Sequence, residues 1–227
     1  MKASGGSGCK GRRVKTGGLV PRTAAAKILV AQILAVLVVA GARGETMIVL
    51  ETEIGDIVIE VYEERAPISS GSFLDHVDGG YFEGGAFWRT VTTENDNGSP
   101  IIEGIQGGVI GEVTDLPTVE HESTRDSGIL HEDGIVSLGR SDLGTASGAS
   151  FFICIGDQPA LDFGALRNPD RQGFAAFGKV VDGMDVVRVI HRREADRSSD
   201  DPYTEGQLLT EYVSILSAYR QDSTGNE

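Results

Sequence analysis

The chain has 227 residues and a formal net charge of −14, from 34 Asp/Glu and 20 Lys/Arg. Residues 1–44 carry eight Lys/Arg and no acid, whereas residues 45–227 carry a net charge of −22, which repels phosphate and argues against nucleic-acid binding. The length suits one well-buried domain better than two, and 40% apolar residues argue against wholesale disorder.

A basic and then apolar segment opens the chain. Residues 28–40 form an apolar run that follows the basic stretch and precedes small residues. A membrane-spanning helix needs about 20 apolar residues, so this shorter run is typical of a secretory signal. We predict a signal peptide over 1–42, with a basic disordered lead and cleavage after Ala42. The alternative is an uncleaved signal anchor over 24–42.

Either alternative predicts an exported protein of the periplasm or cell envelope, with membrane contact only if the segment stays uncleaved. Cysteine use fits export without a disulfide, because Cys9 falls in the predicted signal and Cys154 stands alone after it. Cys154 lies in an apolar run, so we predict a small buried hydrophobe there and not a nucleophile.

The rest of the sequence alternates short β-rich runs with turns. Two such runs within 47–62 flank Ile54-Gly55-Asp56, which predicts a hairpin. Helices are predicted over 67–78, where Pro67 opens the segment and Gly79-Gly80 ends it, and over 184–191. Residues 92–100 form a polar loop, and residues 112–128 are acidic and irregular. Further strands are predicted at 86–91, 101–106, 134–138, 150–155, 175–180 and 208–218. Many short strands, few helices and 31 Gly predict a closed or nearly closed antiparallel barrel.

Four groups of residues carry a further pattern by their order and spacing. They are Ile54-Gly55-Asp56 with Phe87-Trp88-Arg89; Gln106-Gly107-Gly108; residues 134–140 with Ser150-Phe151-Phe152-Ile153; and Leu161-Asp162 with residues 177–184. In this order the groups resemble the cyclophilins, which are peptidyl-prolyl cis–trans isomerases. The resemblance covers residues 46–218 and leaves 219–227 as a polar tail. It implies a mainly β fold, a closed eight-stranded antiparallel β-barrel capped by two helices.

The resemblance also implies an activity, the isomerisation of X-Pro bonds. Amide resonance sets a rotation barrier of about 20 kcal/mol, so the unaided step takes tens of seconds. The implied partners are proline-containing peptides and unfolded or exported proteins, whose folding the enzyme would assist. No cofactor or metal is implied, since His121 and His131 lack zinc-type spacing. We expect a monomer.

Arg89 takes the catalytic role in the resemblance, because a guanidinium stays charged and donates hydrogen bonds in a fixed fork. The alternative is a surface arginine paired with one of the many acids. Gln106 matches the glutamine that binds the substrate backbone, since an amide donates and accepts at once; an ordinary strand residue is the alternative. Phe151 and Phe152 face opposite sides of a strand, so one ring belongs to the core and the other to the pocket. The resemblance places Phe152 at the floor of the proline pocket. The alternative is that both rings pack in the core.

The remaining predicted substrate contacts are Gly139, Arg140, Phe87, Leu161 and Phe174. A small residue at Gly139 permits close approach of a peptide backbone. Arg140 is bulkier than the family's usual residue, so it either alters substrate preference or extends into solvent.

Several positions depart from the family pattern. Arg89 and Gln106 lie seventeen residues apart, farther than usual, and Glu103 and Gly104 stand where the family has apolar wall residues. Ala160 replaces a tryptophan, and Phe174 stands where a histidine is frequent. These changes motivate a second hypothesis, a non-catalytic module that binds Pro-containing segments. The acidic body with Arg89 in the motif predicts a preference for neutral or basic chains around the proline.

Overall fold

The structure is a computed structural model that describes residues 46–111 and 117–221. The predicted signal segment 1–42 and most of the predicted tail 219–227 lie outside these residues. Within the described ranges, no helix combines the length and apolar character that crossing a bilayer requires.

Short strands dominate the described residues. The strands are β1 (Thr46–Thr52), β2 (Gly55–Val61), β3 (Ala86–Val91), β4 (Gly104–Gly108), β5 (Ile135–Leu138), β6 (Ser150–Cys154), β7 (Ala175–Asp182) and β8 (Leu208–Arg220). The helices are α1 (Pro67–Asp78), α2 (Thr124–Ser127) and α3 (Met184–His191), with a 3₁₀ turn over Pro159–Leu161.

The strands close into a barrel in the order β1-β2-β7-β5-β6-β4-β3-β8, and every neighbouring pair is antiparallel. This confirms the predicted closed eight-stranded barrel. The hairpin at Ile54-Gly55-Asp56 joins β1 to β2, as predicted. The last strand, β8, pairs with both β1 and β3 and so completes the closure.

Aromatic rings fill the interior of the barrel. Phe73 of α1 contacts Phe82, Phe151 and Phe177, with ring centroids 5.4, 5.6 and 4.9 Å away. All four rings are fully buried. Helix α1 packs on β7 and β8, whereas α3 packs on β2, β3 and β4. These are the two helices that the sequence predicts, with the same boundaries; α2 is one turn within the segment predicted to be irregular.

Several strand boundaries differ from prediction by one to three residues, and two of these differences have an identifiable reason. Strand β4 begins at Gly104 and not at residue 101, because side chains occupy the preceding backbone: Asp96 accepts from the N–H of Ile102, and Arg167 donates to the carbonyl of Pro100. Strand β8 runs to Arg220, two residues past the predicted domain end, since Arg220 pairs with Ile48 of β1.

Cys154 is fully buried, as predicted, and burial raises the pKa of its thiol.

Candidate active site

Three predicted site residues lie in one row across adjacent strands. The register pairs Arg89 of β3 with Gln106 of β4, and Gln106 with Phe152 of β6. Directly paired residues project to the same face of a sheet. Arg89 and Gln106 are seventeen positions apart in the sequence but are direct neighbours across β3 and β4.

Phe87 does not join this row. The β3 register shifts between Phe87 and Arg89, and Phe87 is fully buried with its ring edge-on to Phe151, at 5.8 Å and 87°. The prediction that Phe87 contacts substrate is wrong, because the bulge turns it into the core. Trp88, the residue between the two, instead borders the cleft described next.

A cleft of about 450 Å³ opens over the row. The other predicted contacts border it: Gly139, Arg140, Leu161 and Phe174. Glu103, at a predicted wall position, also lines the cleft, together with residues that the sequence does not predict there: Trp88, Arg167, Asn168, Pro169, Asp201 and Tyr203. Ile102 is half-buried and adds an apolar side chain to the cleft lining.

Amide oxygens hold Arg89 in place. Its Nη1 donates to Gln106 Oε1 at 2.9 Å, while Nε and Nη2 donate to Gln207 Oε1 at 2.8 and 2.5 Å. These bonds use three of the five N–H groups of a guanidinium, so Nη1 and Nη2 each keep one N–H. Burial lowers the pKa of Arg89 against an opposing contribution from Tyr203. The group remains charged, because an arginine does not lose its proton in a protein.

The Gln106 amide has a fixed orientation. Its oxygen accepts from Arg89, and its Nε2 donates to Ser150 Oγ at 3.0 Å. A Cβ at Gly139 would lie 2.8 Å from Ser150 Oγ and 3.1 Å from Gln106 Nε2. The absence of a side chain at Gly139 therefore leaves room for this amide, in addition to the backbone approach predicted from sequence.

The Phe152 ring lies between two other rings. Phe174 meets it edge-on at 5.2 Å and 86°, and His131 stacks against it at 6.0 Å and 11°. His131 is buried, with 2% of its surface exposed.

His131 also links two polar side chains below the cleft. Its Nδ1 lies 2.8 Å from Asp162 Oδ1, and its Nε2 lies 2.8 Å from Ser137 Oγ. Ser137 pairs with Phe152 across β5 and β6 and is fully buried. A substrate cannot reach this serine, so the Ser–His–Asp chain supports the pocket floor and does not form a hydrolytic centre. No group of three or more His, Cys, Asp or Glu in residues 46–111 and 117–221 is arranged to hold a metal ion.

Arg140 forms part of the cleft wall. Its side chain is 1% exposed and donates to both oxygens of Asp170, at 2.8 and 3.0 Å. Its Nε donates to the carbonyl of Gly173, and its Cζ lies 5.3 Å from the centre of the Phe174 ring. Of the two alternatives for Arg140, extension into solvent is therefore wrong.

Tyr203 provides an aromatic surface in the lining of the cleft. Its ring centre lies 5.2 Å from Arg89 Cζ and 5.3 Å from Arg167 Cζ. Its hydroxyl accepts from Arg167 Nε and Nη2 at 3.1 and 2.7 Å. No motif marked this tyrosine, because it precedes β8 and reaches the cleft only through the fold.

A family model described as cyclophilin type peptidyl-prolyl cis-trans isomerase/CLD matches residues 47–213. The chain belongs to this family. Its similar proteins include a peptidyl-prolyl cis-trans isomerase of Acinetobacter baylyi, 30% identical over 66% of this chain and 74% of that one. Isomerase B of Escherichia coli is 29% identical over 67% of this chain and 88% of its own length. These cyclophilins are named as isomerases, so the family is one of enzymes.

Solved cyclophilin structures share the fold. A cyclophilin type isomerase of Cryptosporidium parvum superposes with a TM-score of 0.58 at 17% identity, covering 79% of this chain and 99% of that one. A second structure of that protein, determined in the presence of the dipeptide Ala-Pro, gives a TM-score of 0.57.

Proposed function

We propose that this cyclophilin isomerises X-Pro bonds in exported proteins, with Arg89 as the catalytic residue and Gln106 and Phe152 as substrate contacts. The row of Arg89, Gln106 and Phe152 across β3, β4 and β6 carries the proposal. It sets a charged donor, an amide and an aromatic surface side by side at the cleft.

The chemistry follows from the barrier to rotation. As the prolyl bond twists, resonance is lost and the nitrogen becomes pyramidal and basic. An enzyme accelerates the step by binding this twisted form more tightly than the planar one. The N–H groups on Nη1 and Nη2 of Arg89 that Gln106 and Gln207 leave unused are suited to donate to the amide as its electron pair localises. The Phe152 ring offers an apolar surface for the proline ring.

Isomerisation of a short Pro peptide by purified protein tests the catalytic part. We expect Arg89→Ala to reduce kcat/KM by about 100-fold or more, as for loss of a transition-state donor. An exposed control, Arg171→Ala, should leave the rate unchanged. Equal rates for the wild type and Arg89→Ala, both at the uncatalysed level, would contradict the proposal. Saturable binding without exchange between cis and trans signals in NMR would favour the non-catalytic module.

The export part of the proposal depends on the basic and apolar sequence of residues 1–42. The mass of the mature protein, recovered from fractionated cells, tests it. We expect the chain to begin at Arg43 and to be recovered outside the cytoplasm. An intact chain in the membrane fraction would support the signal anchor, and an intact chain in the cytoplasm would contradict export.

Charges around the cleft support a preference for neutral or basic substrates. Arg140 and Arg167 each form an ion pair with an aspartate, and Arg89 is bound to neutral amides. Glu103 and Asp201 line the cleft without an ion-pair partner among the described residues. At low salt, peptides with Lys beside the proline should turn over faster than those with Glu, and salt should reduce the difference. Faster turnover of the acidic peptides would contradict this preference.

A further inference from the structure

The three arginines that line the cleft are held in two different ways. Arg140 and Arg167 each donate two hydrogen bonds to an aspartate carboxylate. Arg89, in contrast, has no carboxylate partner among the described residues and is fixed by the amide oxygens of Gln106 and Gln207. Gln207 receives two of these bonds, one from Nε and one from Nη2, so it restrains the plane of the guanidinium.

Gln207 has little freedom to move. It is fully buried, and its Nε2 donates to the carbonyl of Asn95 at 2.8 Å. Its backbone is bonded on both sides, since its N–H donates to Thr204 and its carbonyl accepts from Thr90. Because Nε2 is committed to the Asn95 carbonyl, Oε1 must face Arg89.

The acceptor for Gln207 comes from the connection between β3 and β4, which is longer than the family pattern. Asn95 is itself anchored, because its Nδ2 donates to the carbonyls of Thr90 and Gly206 at 3.2 and 3.1 Å. The longer β3–β4 connection therefore contributes to the site, because Asn95 orients the Gln207 amide and this amide in turn orients Arg89.

We propose that Gln207 is a positioning residue, which orients Arg89 through two hydrogen bonds without neutralising its charge. A carboxylate in place of the Gln207 amide could accept the same two hydrogen bonds, but it would also form an ion pair with Arg89 and neutralise its charge. The neutral amide leaves that charge and the remaining N–H groups available to the twisted prolyl bond. This inference rests on the proposed catalytic role of Arg89.

Two variants separate orientation from charge. Gln207→Met removes the acceptor, and Gln207→Glu retains an acceptor while adding a negative charge. An exposed glutamine variant, Gln221→Met, is the matched control. Readouts are kcat and KM for a Pro peptide, the peptide Kd from fluorescence of Trp88, the sole tryptophan, and NMR hydrogen exchange of the Arg89 Nε–H.

For Gln207→Met we expect the Arg89 Nε–H to exchange about tenfold faster or more, and kcat to fall by about 10- to 100-fold with the peptide Kd little changed. For Gln207→Glu we expect the Nε–H to stay protected while kcat falls. Wild-type kcat in Gln207→Met, combined with an inactive Arg89→Ala, would overturn this inference and leave the proposed function intact. Wild-type activity in Arg89→Ala would overturn the proposed function itself.

A measurement on the wild-type protein tests the inference even if the Gln207 variants do not fold. The Arg89 Nε–H should exchange much more slowly than that of Arg171, which is exposed. Equal exchange rates for the two arginines would show that Gln207 does not restrain Arg89 and would refute the inference.

Discussion

Asp96 and Arg167 form a buried two-point ion pair that joins the β3–β4 connection to the segment after the 3₁₀ turn. Arg167 Nη1 donates to Asp96 Oδ2 and Nη2 to Oδ1, both at 2.7 Å. The two side chains are 1% and 0% exposed. Arg167 also donates to the Tyr203 hydroxyl, so the pair fixes the aromatic part of the cleft wall.

Breaking this pair should destabilise the domain strongly. Asp96→Asn leaves the Arg167 charge buried without a carboxylate, and loss of one partner from a buried pair costs about 3–5 kcal/mol. We expect a loss of that size in the free energy of unfolding measured with urea. Exposed Asp200→Asn is the control and should change it little. A double-mutant cycle with Arg167→Met should return a coupling energy, and additive losses would mean that the pair contributes nothing as a pair.

The Asp96–Arg167 pair also makes the free energy of unfolding depend on pH. Burial opposes ionisation of Asp96, but hydrogen bonds from Arg167 and from two backbone N–H groups outweigh it and hold its pKa below the ordinary 3.8. The unfolded chain therefore binds this proton more readily than the folded protein. The stabilisation is fully present above the unfolded-state pKa and is lost as pH falls through the lower folded-state pKa.

Urea unfolding at a series of pH values measures this dependence. The difference in unfolding free energy between the wild type and Asp96→Asn should be constant from pH 7 to about 5 and should shrink below the ordinary aspartate pKa. A difference that grows on acidification would contradict a lowered pKa.

A methyl group at Gly139 should disturb the Gln106 amide. A Cβ there lies 2.8 Å from Ser150 Oγ, which must shift, and 3.1 Å from Gln106 Nε2, which must move by a few tenths of an ångström. We expect Gly139→Ala to lower kcat/KM by about 3- to 10-fold with little change in thermal stability. Gly71→Ala in α1 is the control, because its Cβ meets nothing within 4 Å, and it should keep full activity. Full activity in Gly139→Ala would show that the amide tolerates the displacement.

Removal of the His131 ring should loosen Phe152. His131→Ala takes away the stacked ring and leaves Ser137 and Asp162 without this hydrogen-bond partner. We expect a loss of about 1–3 kcal/mol in unfolding free energy, together with weaker peptide binding in Trp88 fluorescence titrations. Reduced stability with unchanged peptide affinity would mean that the stack does not position Phe152.

The sequence predicts the barrel well because its determinants are local. The hairpin turn at Gly55, the proline at the start of α1 and the spacing of Val187 and Ile190 in α3 each act within a few residues. Family motifs indicate Arg89, Gln106 and Phe152 for the same reason, since each lies in a recognisable short run.

The parts that sequence missed depend on contacts between distant segments. Tyr203 and Gln207 reach Arg89 from more than a hundred positions away, and no local pattern marks them. Phe87 stands two residues before Arg89, but a register shift between them sends the Phe87 side chain inward. Bulges of this kind are set by the neighbouring strands, so a single strand's sequence does not reveal them.

The position of β8 between β1 and β3 has a consequence for biosynthesis. The barrel joins a strand that begins at Thr46 to one that ends at Arg220, so closure requires contacts across nearly the whole domain. Such distant pairings fold slowly, because the loop entropy is lost before the contacts are gained. A nascent chain cannot close this barrel until β8 has been synthesised, and until then its unpaired strand edges stay exposed to chaperones that act on unfolded chains.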